Sequence, residues 1–168
     1  MQMSAGYSWA QRKIKLVDVK FMNYIKLVRE ILDIAIHQSG VNMAYDGDIY
    51  ALNEMQSSKF PVFVCSATQP QIEHENYYDF VLTLYYIDRL QSNANEYSNP
   101  EISITHSNGI SILGNIIKKI RAFDEVIAVD DDIQYTLFND TELFADKCNG
   151  VYTTITVKVP KESLCYTE

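Results

Sequence analysis

Residues 77–88 constrain the fold more than any other stretch, because they form a long run of apolar and aromatic residues with strand-like alternation. Side chains alternate between the two faces of a strand. The face predicted to point into a core carries Tyr78, Phe80, Leu82, Leu84 and Tyr86. The opposite, mixed face carries Tyr77, Asp79, Val81, Thr83, Tyr85 and Ile87. A strand with two apolar faces is either central in a sheet or partly covered by another molecule.

Length and composition indicate one globular domain. The chain has 168 residues, of which 47% are hydrophobic and 21% are charged. No apolar run reaches the roughly 18 residues that a membrane-spanning helix needs. The N-terminus lacks the basic and apolar regions of a secretory signal, which predicts synthesis in the cytosol and no membrane partner.

Charge and cysteine usage exclude two further classes of function. The formal net charge is -8, which argues against a nucleic-acid grip, because phosphate binding needs clustered Lys and Arg. Cys65, Cys148 and Cys165 are far apart and form no Cys-x-x-Cys pair. We therefore predict free thiols in a reducing compartment, with neither a zinc site nor a redox pair.

The first half of the chain divides into an N-terminal arm, a long helix and a strand pair. Residues 1–17 form the arm, which carries Tyr7 and Trp9 among small and polar residues. Apolar spacing predicts a helix over residues 18–38, with Asp18 as its N-cap and Gly40 at its end. A short helix at 49–55 and a strand at 60–65 follow, and a polar connection then leads back antiparallel into residues 77–88.

The second half predicts a further helix and a closing hairpin. Residues 91–100 form a loop by composition, 101–106 are expected to be extended, and Asn108 with Gly109 predicts a turn. Helical spacing covers residues 110–123. Alternation then predicts strands at 133–138, with Ile133, Tyr135 and Leu137 inward, and at 151–159. The Asn149–Gly150 pair falls in the loop between these two strands.

Together these elements predict an α+β fold with an antiparallel four-stranded sheet and helices packed on one face, in the order α-β-β-α-β-β. The single domain would span residues 18–160, followed by a short polar tail at 161–168.

Residue patterns for chemistry are weak, and we predict no catalytic residue, cofactor or metal site. His37, His74 and His106 stand in no recognisable ligand spacing. Cys65 and His74 are the one loosely paired nucleophile and base. The acidic turn of Asp130, Asp131 and Asp132 lacks the alternating ligands of a calcium loop and is interpreted as solvated.

The order of elements resembles the tail-terminator and tail-completion proteins of tailed bacteriophages. The features that carry the resemblance are Phe60-Pro61 at the start of the first strand, the Tyr-rich strand ending in Tyr86-Ile87-Asp88, the 110–123 helix and the closing hairpin. The Tyr-rich, Asn-rich and acidic character is also similar to portal-proximal ring proteins of crAss-like phages. The N-terminal arm and the extended 89–109 loop depart from the family pattern.

The resemblance implies a structural virion protein and no enzymatic activity. Such a protein is assembled in the host cytoplasm and forms a sixfold or twelvefold ring in the neck. It would contact a portal or adaptor ring on one side and tail proteins on the other, while double-stranded DNA passes without sequence-specific binding. We expect subunit contacts at the arm and on the mixed face of the long strand, at Tyr7, Trp9, Tyr77, Tyr85 and Ile87. We expect Asp130, Asp131 and Asp132, or else the acidic residues of the 139–147 loop, to face the channel.

Two alternatives stay open from the residues alone. One is a monomeric protein-binding module, such as a phage or bacterial regulator that engages a partner through its sheet face. The other is an enzyme that uses Cys65 and His74. The first predicts a compact monomer with one saturable partner, and the second predicts an activity that is lost when Cys65 is alkylated.

Overall fold

Two 13-residue strands, β4 (Tyr77–Arg89) and β7 (Cys148–Pro160), pair antiparallel along their full length and form the centre of the sheet. The computed structural model describes residues 23–54, 59–67, 71–90, 100–140 and 148–161. The strands predicted at 77–88 and 151–159 are both confirmed. The predicted Asn149–Gly150 loop is wrong, because both residues lie inside β7.

Shorter strands complete a mixed sheet of seven strands. They are β1 (Met43–Asp46), β2 (Val62–Ser66), β3 (Ile72–Glu73), β5 (Ala128–Val129) and β6 (Thr136–Asp140). The order is β1-β2-β4-β7-β5, while β3 pairs with β4 and β6 pairs with β7. The α+β class is confirmed. The antiparallel four-stranded sheet is not, because β1, β3 and β5 add three short strands to the four predicted ones, and β1 runs parallel to β2.

Helix α1 (Tyr24–Ile36) begins at Asn23, whose side-chain oxygen accepts a hydrogen bond of 2.8 Å from the backbone nitrogen of Lys26. The predicted N-cap, Asp18, lies outside the described residues. Near its other end, Gly40 adopts φ 92°, a backbone conformation that glycine tolerates best, and so turns the chain toward β1. The predicted helix end is therefore close to the observed one.

Helix α2 (Pro100–Ile120) begins ten residues before the predicted start. The extended segment at 101–106 and the turn at Gly109 are therefore wrong. Gly109 is needed for packing: a Cβ there would lie 2.8 Å from Cγ2 of Val151 and 3.0 Å from the ring of Tyr86. Pro100 suits the first helical position, where its missing N–H costs nothing.

Both helices pack on the same face of the sheet, which we call the helix face. The predicted inward residues of β4 lie there, and four of them are buried: Phe80, Leu82, Leu84 and Tyr86. Tyr78 packs against the same cluster and is partly exposed. The matching buried residues of β7 are Val151, Ile155, Val157 and Val159.

A smaller apolar cluster covers one corner of the opposite face. The short helix predicted at 49–55 is confirmed as a 3-10 helix over Ile49–Glu54, and its Leu52 packs against β2 and β4. The buried members of this cluster are Leu52, Phe60, Val62, Val64, Ile87 and Cys148.

The closing hairpin is confirmed, with a shift in its first strand. β6 pairs antiparallel with β7 over Thr136–Asp140. Ile133 and Tyr135 pack against the core, as predicted, but Leu137 is 50% exposed. Leu137 sits on a strand whose outer side has no partner among the described strands, so its side chain stays partly in solvent.

Candidate interaction surface

The face of β4 and β7 that points away from the helices, which we call the open face, carries aromatic residues at one end and charged residues at the other. The strand register places Tyr85 opposite Tyr152, Thr83 opposite Thr154, and Asp79 opposite Lys158. Neither α1 nor α2 packs on this face, because both belong to the cluster on the helix face. Between the two ends, the hydroxyls of Thr83 and Thr154 form a hydrogen bond of 3.1 Å.

The aromatic patch, as we call the first end, consists of Tyr50, Tyr85, Phe138 and Tyr152. The ring centroids of Tyr85 and Tyr152 are 5.4 Å apart, and those of Phe138 and Tyr152 are 6.3 Å apart. Tyr50 is 55% exposed beside them. Burial raises the pKa of the Tyr85 hydroxyl, and the neighbouring Tyr152, Asp48 and Tyr50 raise it further. The hydroxyl of Tyr85 is therefore partly desolvated and uncharged at neutral pH.

The charged end engages Tyr77 within its own chain. The imidazole of His74 stacks on the Tyr77 ring at 4.3 Å, and the ammonium of Lys158 lies 4.3 Å from the ring centroid. The Nε2 of His74 lies 2.8 Å from Oδ2 of Asp79. A shallow depression of about 340 Å³ lies alongside, lined by Asp79, Thr156, Lys158 and residues 128–131. Tyr77, a predicted contact residue, is thus held between His74 and Lys158 of its own chain.

All three residues of the acidic turn are exposed, and Asp130 alone among them also hydrogen-bonds to β7. Oδ2 of Asp130 accepts a hydrogen bond of 2.7 Å from the backbone nitrogen of Thr156, and the nitrogen of Asp130 donates to the Thr156 carbonyl at 3.3 Å. The guanidinium of Arg121 donates to the carbonyl oxygen of Asp130 and, at 3.4 Å, to that of Asp131. Asp130 thus continues the edge of β7 between β5 and β6. Asp131 and Asp132 are exposed.

We expect Asp130→Ala to lower the free energy of unfolding by about 1 kcal/mol, because the backbone nitrogen of Thr156 loses its acceptor. Asp132→Ala removes the same charge from the same turn without removing a hydrogen bond, so it should change stability much less. Urea unfolding followed by circular dichroism measures both. Equal losses in the two variants would mean that the hydrogen bond to Thr156 contributes nothing.

Cys65 and His74 do not form a catalytic pair. Cys65 is fully buried in the cluster on the helix face, whereas His74 bonds Asp79 on the open face, so the sheet separates them. Burial, followed by the charge of Asp46, raises the pKa of the Cys65 thiol to about 12. Cys148 is also buried, and Cys165 lies outside the described residues.

Cys65 is therefore expected to resist alkylation in the folded protein. A pKa raised from 9.0 to about 12 keeps the thiol protonated and lowers the thiolate fraction at pH 8 by about a thousandfold. Iodoacetamide labelling at pH 8, mapped by mass spectrometry, should modify Cys65 only after denaturant is added. Rapid labelling of the native protein would contradict the buried position and reopen the nucleophile hypothesis.

The remaining predicted contact residues fall in different places. Tyr85 lies in the aromatic patch, and Ile87 is fully buried in the smaller apolar cluster and so is not available to another chain. Tyr7 and Trp9 lie outside the described residues. Sequence reasoning did not single out Tyr50, Phe138 or Tyr152 as contact residues. The pairing of β7 with β4, which places Tyr152 opposite Tyr85, is the observation that would have identified them.

The described residues contain neither a cluster of metal ligands nor a membrane-spanning helix. In the described ranges, no three His, Cys, Asp or Glu side chains cluster as a metal site would require. None of the helices that the structure describes has the length and apolar character to cross a membrane. No protein-family model matches this sequence, and no curated protein is significantly similar to it.

Proposed function

We propose that this protein is a structural virion subunit that forms a ring in the neck of a tailed bacteriophage, around the DNA channel, and joins the portal or adaptor ring to the tail. The observation that carries the proposal is the aromatic patch on a sheet face that neither α-helix covers. The resemblance of the element order to tail-terminator proteins supplies the ring and the neck as the setting.

The chemistry of the aromatic patch favours a protein partner. Tyrosine combines a large apolar ring with a polar hydroxyl and is enriched at protein interfaces. Tyr85 and Tyr152 are only half-buried by their own chain, and Tyr50 is mostly exposed. A second protein that covers these rings would complete their burial.

A closed ring needs two different surfaces that fit one another. The aromatic patch supplies one, and the outer edge of β6 is our candidate for the second. Thr136–Asp140 pairs with β7 on one side, and on the other side no described strand pairs with it. Leu137 on β6 and Ile127 next to β5 are both about half exposed along this border. Unpaired edges of this kind recruit neighbouring chains.

The charge distribution suits a channel that DNA passes through. The net charge is -8, and Asp131 and Asp132 are exposed at the acidic turn. Like charges on the protein and the phosphate backbone prevent adhesion of DNA. We propose that Asp131 and Asp132 face the lumen, whereas Asp130 is held in the sheet edge by Thr156.

The mass of the protein in solution tests the proposal. We expect light scattering after size exclusion to give a ring of several subunits, either alone or after mixing with the portal protein of the same phage. A chain that stays monomeric and associates with neither portal nor tail proteins would refute the ring. A monomer that binds one unrelated protein with a one-to-one ratio would instead indicate the protein-binding module.

A further inference from the structure

Asn149 is a buried polar residue whose side-chain amide makes no hydrogen bond to the described residues. Its side chain is fully buried, and within the described residues neither its Oδ1 nor its Nδ2 has a hydrogen-bond partner. Buried amides are almost always satisfied, because an unpaired one loses its hydration without compensation. An ion or a water molecule next to the Asn149 amide would supply the missing partner.

Asp88 places a carboxylate next to this amide. It lies directly opposite Asn149 in the pairing of β4 with β7, and directly opposed residues have Cβ atoms about 4.5–5.5 Å apart. The next pair on the same face, Tyr86 with Val151, packs in the cluster on the helix face, so Asp88 and Asn149 point toward α2. Oδ1 of Asp88 accepts a hydrogen bond of 2.8 Å from the backbone nitrogen of Arg89.

The first turn of α2 adds a second carboxylate. Glu101 follows Pro100 at the start of the helix and is partly buried. Burial raises the pKa of Asp88, and the charge of Glu101 raises it further, so the two carboxylates interact. Helix α2 packs on both β4 and β7, and its Gly109 rests on Val151 and Tyr86. Three separate elements thus bring two carboxylates and an amide to one end of the helix–sheet layer.

We propose that Asp88, Asn149 and Glu101 bind one divalent cation, with Ca²⁺ as the cation that fits best. Carboxylate oxygens and amide carbonyl oxygens are the ligands that Ca²⁺ prefers, and water completes its shell. A divalent charge would offset the repulsion between Asp88 and Glu101 and give the oxygen of Asn149 a partner. One of the three proposed ligands is the amide oxygen of Asn149. The site is therefore compatible with the absence, among the described residues, of a cluster of three His, Cys, Asp or Glu side chains.

The competing occupant is a buried water molecule, and cation titration separates the two. The full chain, freed of metal with a chelator, is titrated with CaCl₂ and separately with MgCl₂ by isothermal calorimetry. We expect one Ca²⁺ per chain and weaker binding of Mg²⁺. Asp88→Asn, which keeps the shape of the side chain, should weaken Ca²⁺ binding on the order of tenfold or more.

Two further variants test whether Ca²⁺ binds at the proposed site. Asn149→Asp adds a carboxylate and should tighten Ca²⁺ binding, while lowering the melting temperature of the metal-free protein. Asp132→Asn removes an exposed carboxylate elsewhere and should leave the affinity unchanged. The absence of saturable Ca²⁺ binding up to millimolar concentration would overturn the proposal in favour of water. An equal loss in Asp132→Asn and Asp88→Asn would also overturn it, because it would indicate general charge attraction. If Asn149→Asp fails to fold, the comparison of Asp88→Asn with Asp132→Asn decides.

Discussion

Gly150→Ala is expected to lower the free energy of unfolding by about 3 kcal/mol or more, a large part of the stability of a domain of this size. A Cβ at residue 150 would collide with the backbone carbonyl oxygen of Tyr86 and would lie 2.8 Å from Cζ of Phe138. The carbonyl belongs to the central strand pair and has no room to move aside. The substitution must therefore push β4 and β7 apart.

Gly114→Ala is the matched control for this prediction. Its Cβ would meet only the hydroxyl of Tyr135, at 3.3 Å, and alanine is favoured over glycine in a helix by up to about 1 kcal/mol. We expect a small change of either sign. Thermal and urea unfolding measure both variants. A Gly150→Ala protein as stable as Gly114→Ala would mean that the ladder between β4 and β7 adjusts freely at this point.

Tyr85→Ala combined with Tyr152→Ala is expected to abolish assembly, on the proposed function. Truncation of an interface hot spot costs on the order of 2 kcal/mol, so the pair would weaken association by about a thousandfold. The two rings contact each other on the open face, and the double substitution removes two of the four rings of the aromatic patch at once. Light scattering in the presence of the portal protein provides the measurement.

Tyr77→Ala is the control for the assembly variant. Tyr77 also lies on the open face but is held between His74 and Lys158 of its own chain. We expect it to lower stability without changing assembly. Circular dichroism establishes that each variant keeps its fold. If the folded double variant assembles like the unchanged protein, the subunit contact lies elsewhere.

The long regular elements could be predicted from the sequence because their side-chain spacing is itself the signal. Alternation marks β4 and β7 over many residues, and both occupy the predicted positions. Apolar residues at helical spacing likewise mark α1. These patterns arise because each element buries one face, and that requirement is visible in the local sequence.

The short strands and the first half of α2 could not be predicted in this way. β3 and β5 have two residues each, too few to show alternation. Asn108 and Gly109 suggest a turn, yet Gly109 lies inside the helix because Val151 and Tyr86 leave no space for a side chain. In both cases a tertiary contact decides the local conformation, and the local sequence does not contain it.

The residues of the candidate interaction surface are likewise brought together by tertiary contacts that the local sequence does not contain. Tyr85 was predicted as a contact residue from its strand, but its pairing with Tyr152 follows from a register that joins residues 67 positions apart. The sequence predicts Asn149 in a loop, where its side-chain amide would be exposed to solvent. Its burial beside Asp88 results from the full length of β7.

The unbroken pairing of β4 with β7 has a mechanical consequence. Thirteen residues of each strand face one another, so a pull directed along the strands loads the hydrogen bonds of the whole ladder together instead of opening them one after another. Resistance to such a pull depends on the rate of unfolding rather than on equilibrium stability. On the proposed function, a subunit organised in this way would be suited to bear shear when packaged genome leaves under pressure.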